Sequence, residues 1–190
     1  GLRSRFRGII LGTAVGDALG LPAEGLSKQR IKKLYKGKWR HRWLFRKGMM
    51  SDDTEHTVFV AQSLLVHPDS AQRFAKRLGW CLRWWLASLP AGVGLATLKA
   101  TLRLWLGFNP SKSGVYSAGN GPAMRVAPIG AFFAFDQQKR DEYVGASTRL
   151  THTDPRALTG AKAVADLTAW VIDENLFQQP PSKDFLEILY

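Results

Sequence analysis

Residues 71–89 read AQRFAKRLGWCLRWWLASL, and the apolar members Phe74, Leu78, Leu82, Trp85, Leu86 and Leu89 recur at steps of three and four. That spacing is the period of an α-helix with one buried face. Arg73, Lys76, Arg77 and Arg83 occupy much of the remaining surface. Working outward, helical patterns cover 6–21, 53–66, 95–106, 140–149 and 154–173. A further helix is expected over 122–135, with Pro122 in its first turn, where no N–H donor is needed. His67-Pro68, the stretch 90–94 and Pro180-Pro181 break the pattern, and residues 107–121, rich in Gly, Ser and Asn, form a long loop. No alternating run lies between these segments, so the expected fold is all-α, a single domain over residues 1–190.

Composition agrees with one core. A chain of 190 residues, 45% of them hydrophobic, buries most of its apolar surface in one domain. Cys81 is the sole cysteine, which excludes an intrachain disulfide and makes a reducing, cytoplasmic setting the expectation. Arg3, Arg5 and Arg7 ahead of the apolar run 8–15 look like the start of a secretory leader. Asp17 follows at once and the run is far too short to span a bilayer, so the segment reads as part of the fold; no membrane partner is expected. The net charge of +12 favours polyanionic partners or anionic ligands without identifying them. Much of the excess lies in 28–47, where Trp39, His41, Trp43 and Phe45 are interleaved with basic residues. That stretch is either a solvated loop with aromatic anchors or a surface on which bases stack.

Gly8, Gly12, Gly16 and Gly20 fall on one helical face. Each interior glycine costs about 1 kcal/mol against alanine. The stripe therefore predicts close approach of another backbone.

Four short clusters carry candidate chemistry. Ser51-Asp52-Asp53-Thr54-Glu55 sets adjacent carboxylates between hydroxyls. Asp52 with Glu55 reads as a helix cap, and equally as an oxygen-donor set for a hard divalent cation. Gly16-Asp17-Ala18-Leu19-Gly20 leads to Glu24, with Asp17 a capping or exposed residue and Glu24 either a surface acid or a group projecting into a site. Ser117-Ala118-Gly119-Asn120-Gly121-Pro122 reads as a connector or as a glycine-rich anion loop opening a helix. In Thr151-His152-Thr153-Asp154-Pro155, Asp154 reads as a helix cap with Pro155 in the first turn.

In order and wording these clusters resemble the ADP-ribosylglycohydrolase family, over 12–24, 51–57, 119–130 and 150–154. The resemblance implies a compact, orthogonal multi-helix domain around a two-metal centre of Mg2+ or Mn2+. It implies hydrolysis of the glycosidic bond between ADP-ribose and an acceptor on a protein, nucleic acid or small molecule. Carried over, Ser51, Asp52, Asp53 and Glu24 are metal ligands, with Asp52 or Glu24 moving the catalytic proton. Gly92, Gly94, Ser117, Gly119, Asn120, Gly121 and His152 contact the ADP-ribosyl group. The helix expected at Pro122 would neutralise the diphosphate.

Two departures stand out. The segment 90–94 lacks the acid that arginine-specific relatives carry, so an arginine linkage is disfavoured. The family pattern also continues to an Asp-x-Asp-Thr metal motif that does not occur by Tyr190, so the expectation is the N-terminal part of the fold with an incomplete metal cage. The alternatives are a catalytically inactive ADP-ribose-binding or structural relative, or a basic nucleic-acid-binding module.

Overall fold

Ser51, Ser70 and Asp136 each turn a side-chain oxygen onto a backbone N–H of the helix that follows, which sets where three helices begin. The computed structural model describes residues 2–36, 39–41, 47–90 and 93–173. Its α-helices are α1 (Leu2–Gly20), α2 (Lys28–Leu34), α3 (Asp52–Val66), α4 (Ala71–Ala87), α5 (Leu95–Trp105), α6 (Ala127–Phe132), α7 (Gln137–Thr151) and α8 (Pro155–Asp173). Short 3-10 turns occupy Leu21–Ala23 and Ala123–Arg125. Among the described residues the β structure amounts to one isolated bridge, Val115 to His152. The all-α expectation holds.

α4 lies at the centre, packed on α3, α5 and α7, as its long apolar stripe requires. Phe74, Leu78 and Leu82 are fully buried, joined by Val60 and Leu64 of α3 and Val144 and Leu150 of α7. Truncating any one of these leucines to alanine costs about 2–5 kcal/mol through lost burial and the cavity left behind. Tyr143 packs between Phe74 and Phe133 and donates its hydroxyl to the His67 carbonyl at 3.0 Å.

The close backbone approach is found elsewhere than the glycine stripe predicts. A Cβ added at Gly8, Gly12, Gly16 or Gly20 would meet no described atom within 4 Å. Tight backbone contacts lie instead at Gly114, where a Cβ would meet the Arg149 carbonyl, and between α6 and α8, where a Cβ on Gly130 would run into the Ala165 carbonyl. α8 makes room with Ala157, Ala161, Ala165 and Ala169, small residues at four-residue steps on its buried face.

Other boundaries differ from the sequence pattern, α1 among them, which starts at Leu2 ahead of the expected 6. The helix expected over 122–135 is a 3-10 turn followed by α6. Pro128 explains the break, since it offers no N–H to the Met124 carbonyl and its ring would clash there. α7 starts at Gln137, ahead of the expected 140, because Asp136 accepts from Lys139 N at 3.0 Å. Within 28–47, part of the expected loop is α2, capped by Ser27, and Tyr35 is a buried anchor stacked on Trp39 at 4.3 Å. Trp43 and Phe45 lie outside the described residues. No single helix among the described residues is long and apolar enough to cross a membrane.

Candidate active site

α3 begins at a junction built by α1. Asp17, buried on an otherwise apolar turn of α1, accepts hydrogen bonds from Ser51 N and Ser51 Oγ, both at 2.7 Å. It also accepts from Thr54 N at 3.2 Å and Thr54 Oγ1 at 2.5 Å. A carboxylate on the free N–H groups at a helix N-terminus is favoured by the helix dipole and by charge-assisted bonding. Ser51 is the N-cap and Asp52 the first helical residue, so the expected Asp52 cap is not formed; Glu55 instead accepts from Trp85 Nε1 at 2.6 Å. This anchoring aims Asp52 and Asp53 away from Asp17's bonds, into a cavity of about 410 Å³.

Glu24 enters the cavity from the turn after α1, where Gly25 adopts φ +68° and redirects the chain. Ser117, Gly119, Asn120 and Gly121 also line it, with the His152 ring packed against the two glycines. This loop is tied down. Val115 N donates to the Thr151 carbonyl at 3.1 Å, Thr153 N to the Val115 carbonyl at 3.0 Å, and Ser113 Oγ to the Leu150 carbonyl at 2.7 Å. Thr57 Oγ1 bridges the Asp53 and Met124 carbonyls at 2.7 and 3.2 Å, fastening α3 to the turn that follows the loop.

The first turn of α5 closes the cavity. Gly94 gives no side-chain cap, and Leu95, Ala96 and Thr97 line the wall behind it. First-turn N–H groups and the positive end of a dipole suit an anion. At Pro122 a three-residue 3-10 turn stands in place of the expected helix terminus, with Gly121 and Met124 lining the cavity.

The acidic groups here oppose one another's ionisation. Asp53 is pushed up to about 6 by burial and by the charges of Asp52, Asp17 and Glu24. Burial also raises Asp52, with Asp17 and Glu55 adding to it against hydrogen bonds from its own backbone and from Ser51. Glu24 is raised by burial, then by Asp52 and Asp17. Carboxylates that oppose each other's ionisation are relieved by a hard divalent ion with oxygen ligands. The shell is partial: among the described residues no three His, Cys, Asp or Glu side chains are arranged to hold one ion.

The cavity thus gathers Glu24, Asp52, Asp53, Gly94, Ser117, Gly119, Asn120, Gly121 and His152, nine of the residues picked out from sequence. Ser51 does not line it; its hydroxyl is turned to Asp17. Gly92 lies outside the described residues. Asp17's part in the site, Thr97 and Met124 escaped the sequence reading. Asp17 left one clue, a charge on a helix face otherwise apolar; Thr97 and Met124 left none.

A family model for ADP-ribosylglycohydrolase matches residues 1–189. The chain belongs to the ADP-ribosylglycohydrolase family. The chain is 41% identical over 172 residues to an uncharacterised protein of Archaeoglobus fulgidus, covering 86% of this chain and 54% of that one. It is 30% identical over 168 residues to the ADP-ribosyl-[dinitrogen reductase] glycohydrolase of Rhodospirillum rubrum, covering 81% and 53%. A solved structure described as an ADP-ribosylglycohydrolase-related protein complex superposes with TM-score 0.70 at 29% identity, over 98% of this chain and 61% of that one. The chain spans about half the length of the curated relatives it matches.

Proposed function

We propose that this protein hydrolyses the glycosidic bond between ADP-ribose and an acceptor, assisted by Mg2+ or Mn2+ for which Glu24, Asp52 and Asp53 would each supply part of an oxygen shell. The observation that carries the reading is the meeting of those three carboxylates with the Ser117–Gly121 loop and His152 in one cavity. A bound cation supplies polarisation of a water and a hold on ribose hydroxyls. This chain's residues do the rest. The first turn of α5 faces the diphosphate, while Ser117, Asn120 and His152 offer hydrogen bonds to ribose or phosphate oxygens. Water adds at the anomeric carbon, the acceptor leaves, and Asp52 or Glu24 takes the water's proton. The segment 90–94 has no acid to hold a guanidinium, so acceptors other than arginine are preferred.

The test is release of ADP-ribose from serine-linked, arginine-linked and acetylated ADP-ribose, with and without Mg2+ or Mn2+. Metal-dependent release, lost in Asp52→Ala and Asp53→Ala, supports the proposal. The partial metal shell favours a second reading, an inactive ADP-ribose-binding relative, which gives binding without turnover at saturating metal. A third, polyanion contact, rests on exposed Trp80, Trp84 and Trp105 around Arg83. It requires nucleic-acid binding that falls steeply with salt and ignores magnesium.

A further inference from the structure

Arg125 is wholly buried and, among the described residues, makes no ion pair. Its Nε donates to Ser147 Oγ at 3.1 Å, and its Nη2 donates to the Ser147 carbonyl at 2.7 Å and to Thr151 Oγ1 at 2.8 Å. Thr151, also buried, has its Oγ1 2.9 Å from His152 Nδ1. A charge this deep without a counter-anion is an expensive way to satisfy a carbonyl and two hydroxyls. What distinguishes it is the chain of bonds it starts, which ends on the imidazole lining the cavity.

We propose that Arg125 is a positioning residue that, through Thr151, holds His152 in the tautomer protonated on Nε2, so that the cavity receives a neutral hydrogen-bond donor for an oxygen of the ADP-ribosyl group. The identity of that ligand rests on the function proposed above; the tautomer does not.

A guanidinium only donates, so Thr151 Oγ1 is the acceptor in its bond with Arg125. The hydroxyl keeps one hydrogen, and His152 Nδ1 is the acceptor within reach. With that bond made, Nδ1 accepts and the ring proton resides on Nε2. The other tautomer aims a second N–H at an oxygen already facing the guanidinium and leaves the buried hydroxyl hydrogen unused. Burial and the Arg125 charge together lower the His152 pKa to about 4, so the ring stays neutral near pH 7. Nε2 is then presented beneath the glycine loop. A Cβ at Gly119 would sit 3.1 Å from Nε2, and one at Gly121 2.9 Å from Cε1, so these positions leave the donor reachable only as glycine. A neutral donor binds a phosphate or ribose oxygen without adding a charge that would repel cations held across the cavity.

The experiment reads the His152 ring nitrogens by long-range 15N–1H correlation in the full chain at pH 7, assigned by loss of the signals in His152→Asn. ADP-ribose affinity is measured by calorimetry on the same samples. The expected result is a protonated Nε2 and a bare Nδ1 in the wild type. In Thr151→Val and Arg125→Lys the pattern shifts toward a mixture and ADP-ribose affinity falls about fivefold to tenfold, the scale of one lost hydrogen bond. Thr151→Ser restores both readouts, which a merely structural role for the methyl group would not do. A wild-type ring protonated on Nδ1, or a tautomer unchanged in folded Thr151→Val, overturns the proposal, and the wild-type spectrum decides the first point even where a variant does not fold. An Nε2–H tautomer that collapses in both Thr151→Val and Arg125→Lys upholds Arg125's role, one unchanged in folded Arg125→Lys overturns it, and absence of ADP-ribose binding in the wild type would count against the proposed function alone.

Discussion

Asp17 of α1 receives both the backbone N–H and the hydroxyl of Thr54 on α3, at 3.2 and 2.5 Å. One acid thus anchors a helix whose N-cap lies 34 residues later in the chain, and so sets the angle at which Asp52 and Asp53 enter the cavity. Asp17→Asn keeps the shape but replaces one acceptor oxygen with a donor facing other donors. The expected cost is ~1–3 kcal/mol of stability, measured by denaturant unfolding. Divalent-cation and ADP-ribose binding should weaken as well, although Asp17 does not line the cavity. Unchanged binding in a folded Asp17→Asn protein would show that the junction does not orient the site.

Asp53 stores repulsion that a cation would release. Its carboxyl is raised from an ordinary 3.8 to about 6, so ionisation costs stability above pH 6, and the cost vanishes below the unfolded value. Asp53→Asn should therefore raise the Tm of the metal-free protein at pH 7.5 and leave it nearly unchanged at pH 4. Because the group is half-buried and screened, a rise of about 2–4 °C is expected. The same variant should lose the Tm increase that Mg2+ or Mn2+ gives the wild type.

His152 predicts the opposite slope. Its pKa is lowered from 6.5 to about 4 by burial and by Arg125. A base with a depressed folded pKa contributes its full stability above the unfolded value and loses it as pH falls toward the folded one. Unfolding midpoints should fall between pH 6.5 and 4, with buried His56 adding a loss of the same sign. In His152→Gln the fall should be shallower. Parallel curves would exclude a neutral buried imidazole at this position.

Two glycines separate stability from binding. At Gly121 an added methyl meets the His152 ring, a side chain able to rotate away, so Gly121→Ala should fold but bind ADP-ribose several-fold more weakly. At Gly130 it meets the Ala165 backbone, which cannot yield without parting α6 from α8. Gly130→Ala should cost ~1–3 kcal/mol by overpacking. The ordering, tested by thermal melts and calorimetry, reverses if the two backbones are free to shift.

Much of the architecture is legible in short-range pattern. The three- and four-residue steps from Phe74 to Trp85 locate α4 and its buried face, because side-chain direction in a helix repeats with the backbone. Candidate ligands such as Asp52, Asn120 and His152 stand out by residue type and local wording, and all three reach one cavity. The stripe Gly8, Gly12, Gly16 and Gly20 misleads because backbone proximity depends on which helix lies opposite, and periodicity carries no information about that. For the same reason Gly130 looks ordinary in the chain and is the tightest point of the α6–α8 contact.

Helical class, the main helix positions and the chemical character of the site follow from residue order, since each rests on interactions a few residues long. Long-range packing supplies what makes those residues a site: Asp17 on Ser51 and Thr54, Arg125 on Ser147 and Thr151, and α5's first turn facing the cavity. These bonds join groups 22 to 37 residues apart, and their direction depends on helix crossings that the entire core must agree on. A sequence names the donors and acceptors; close packing of the helices determines which of them meet.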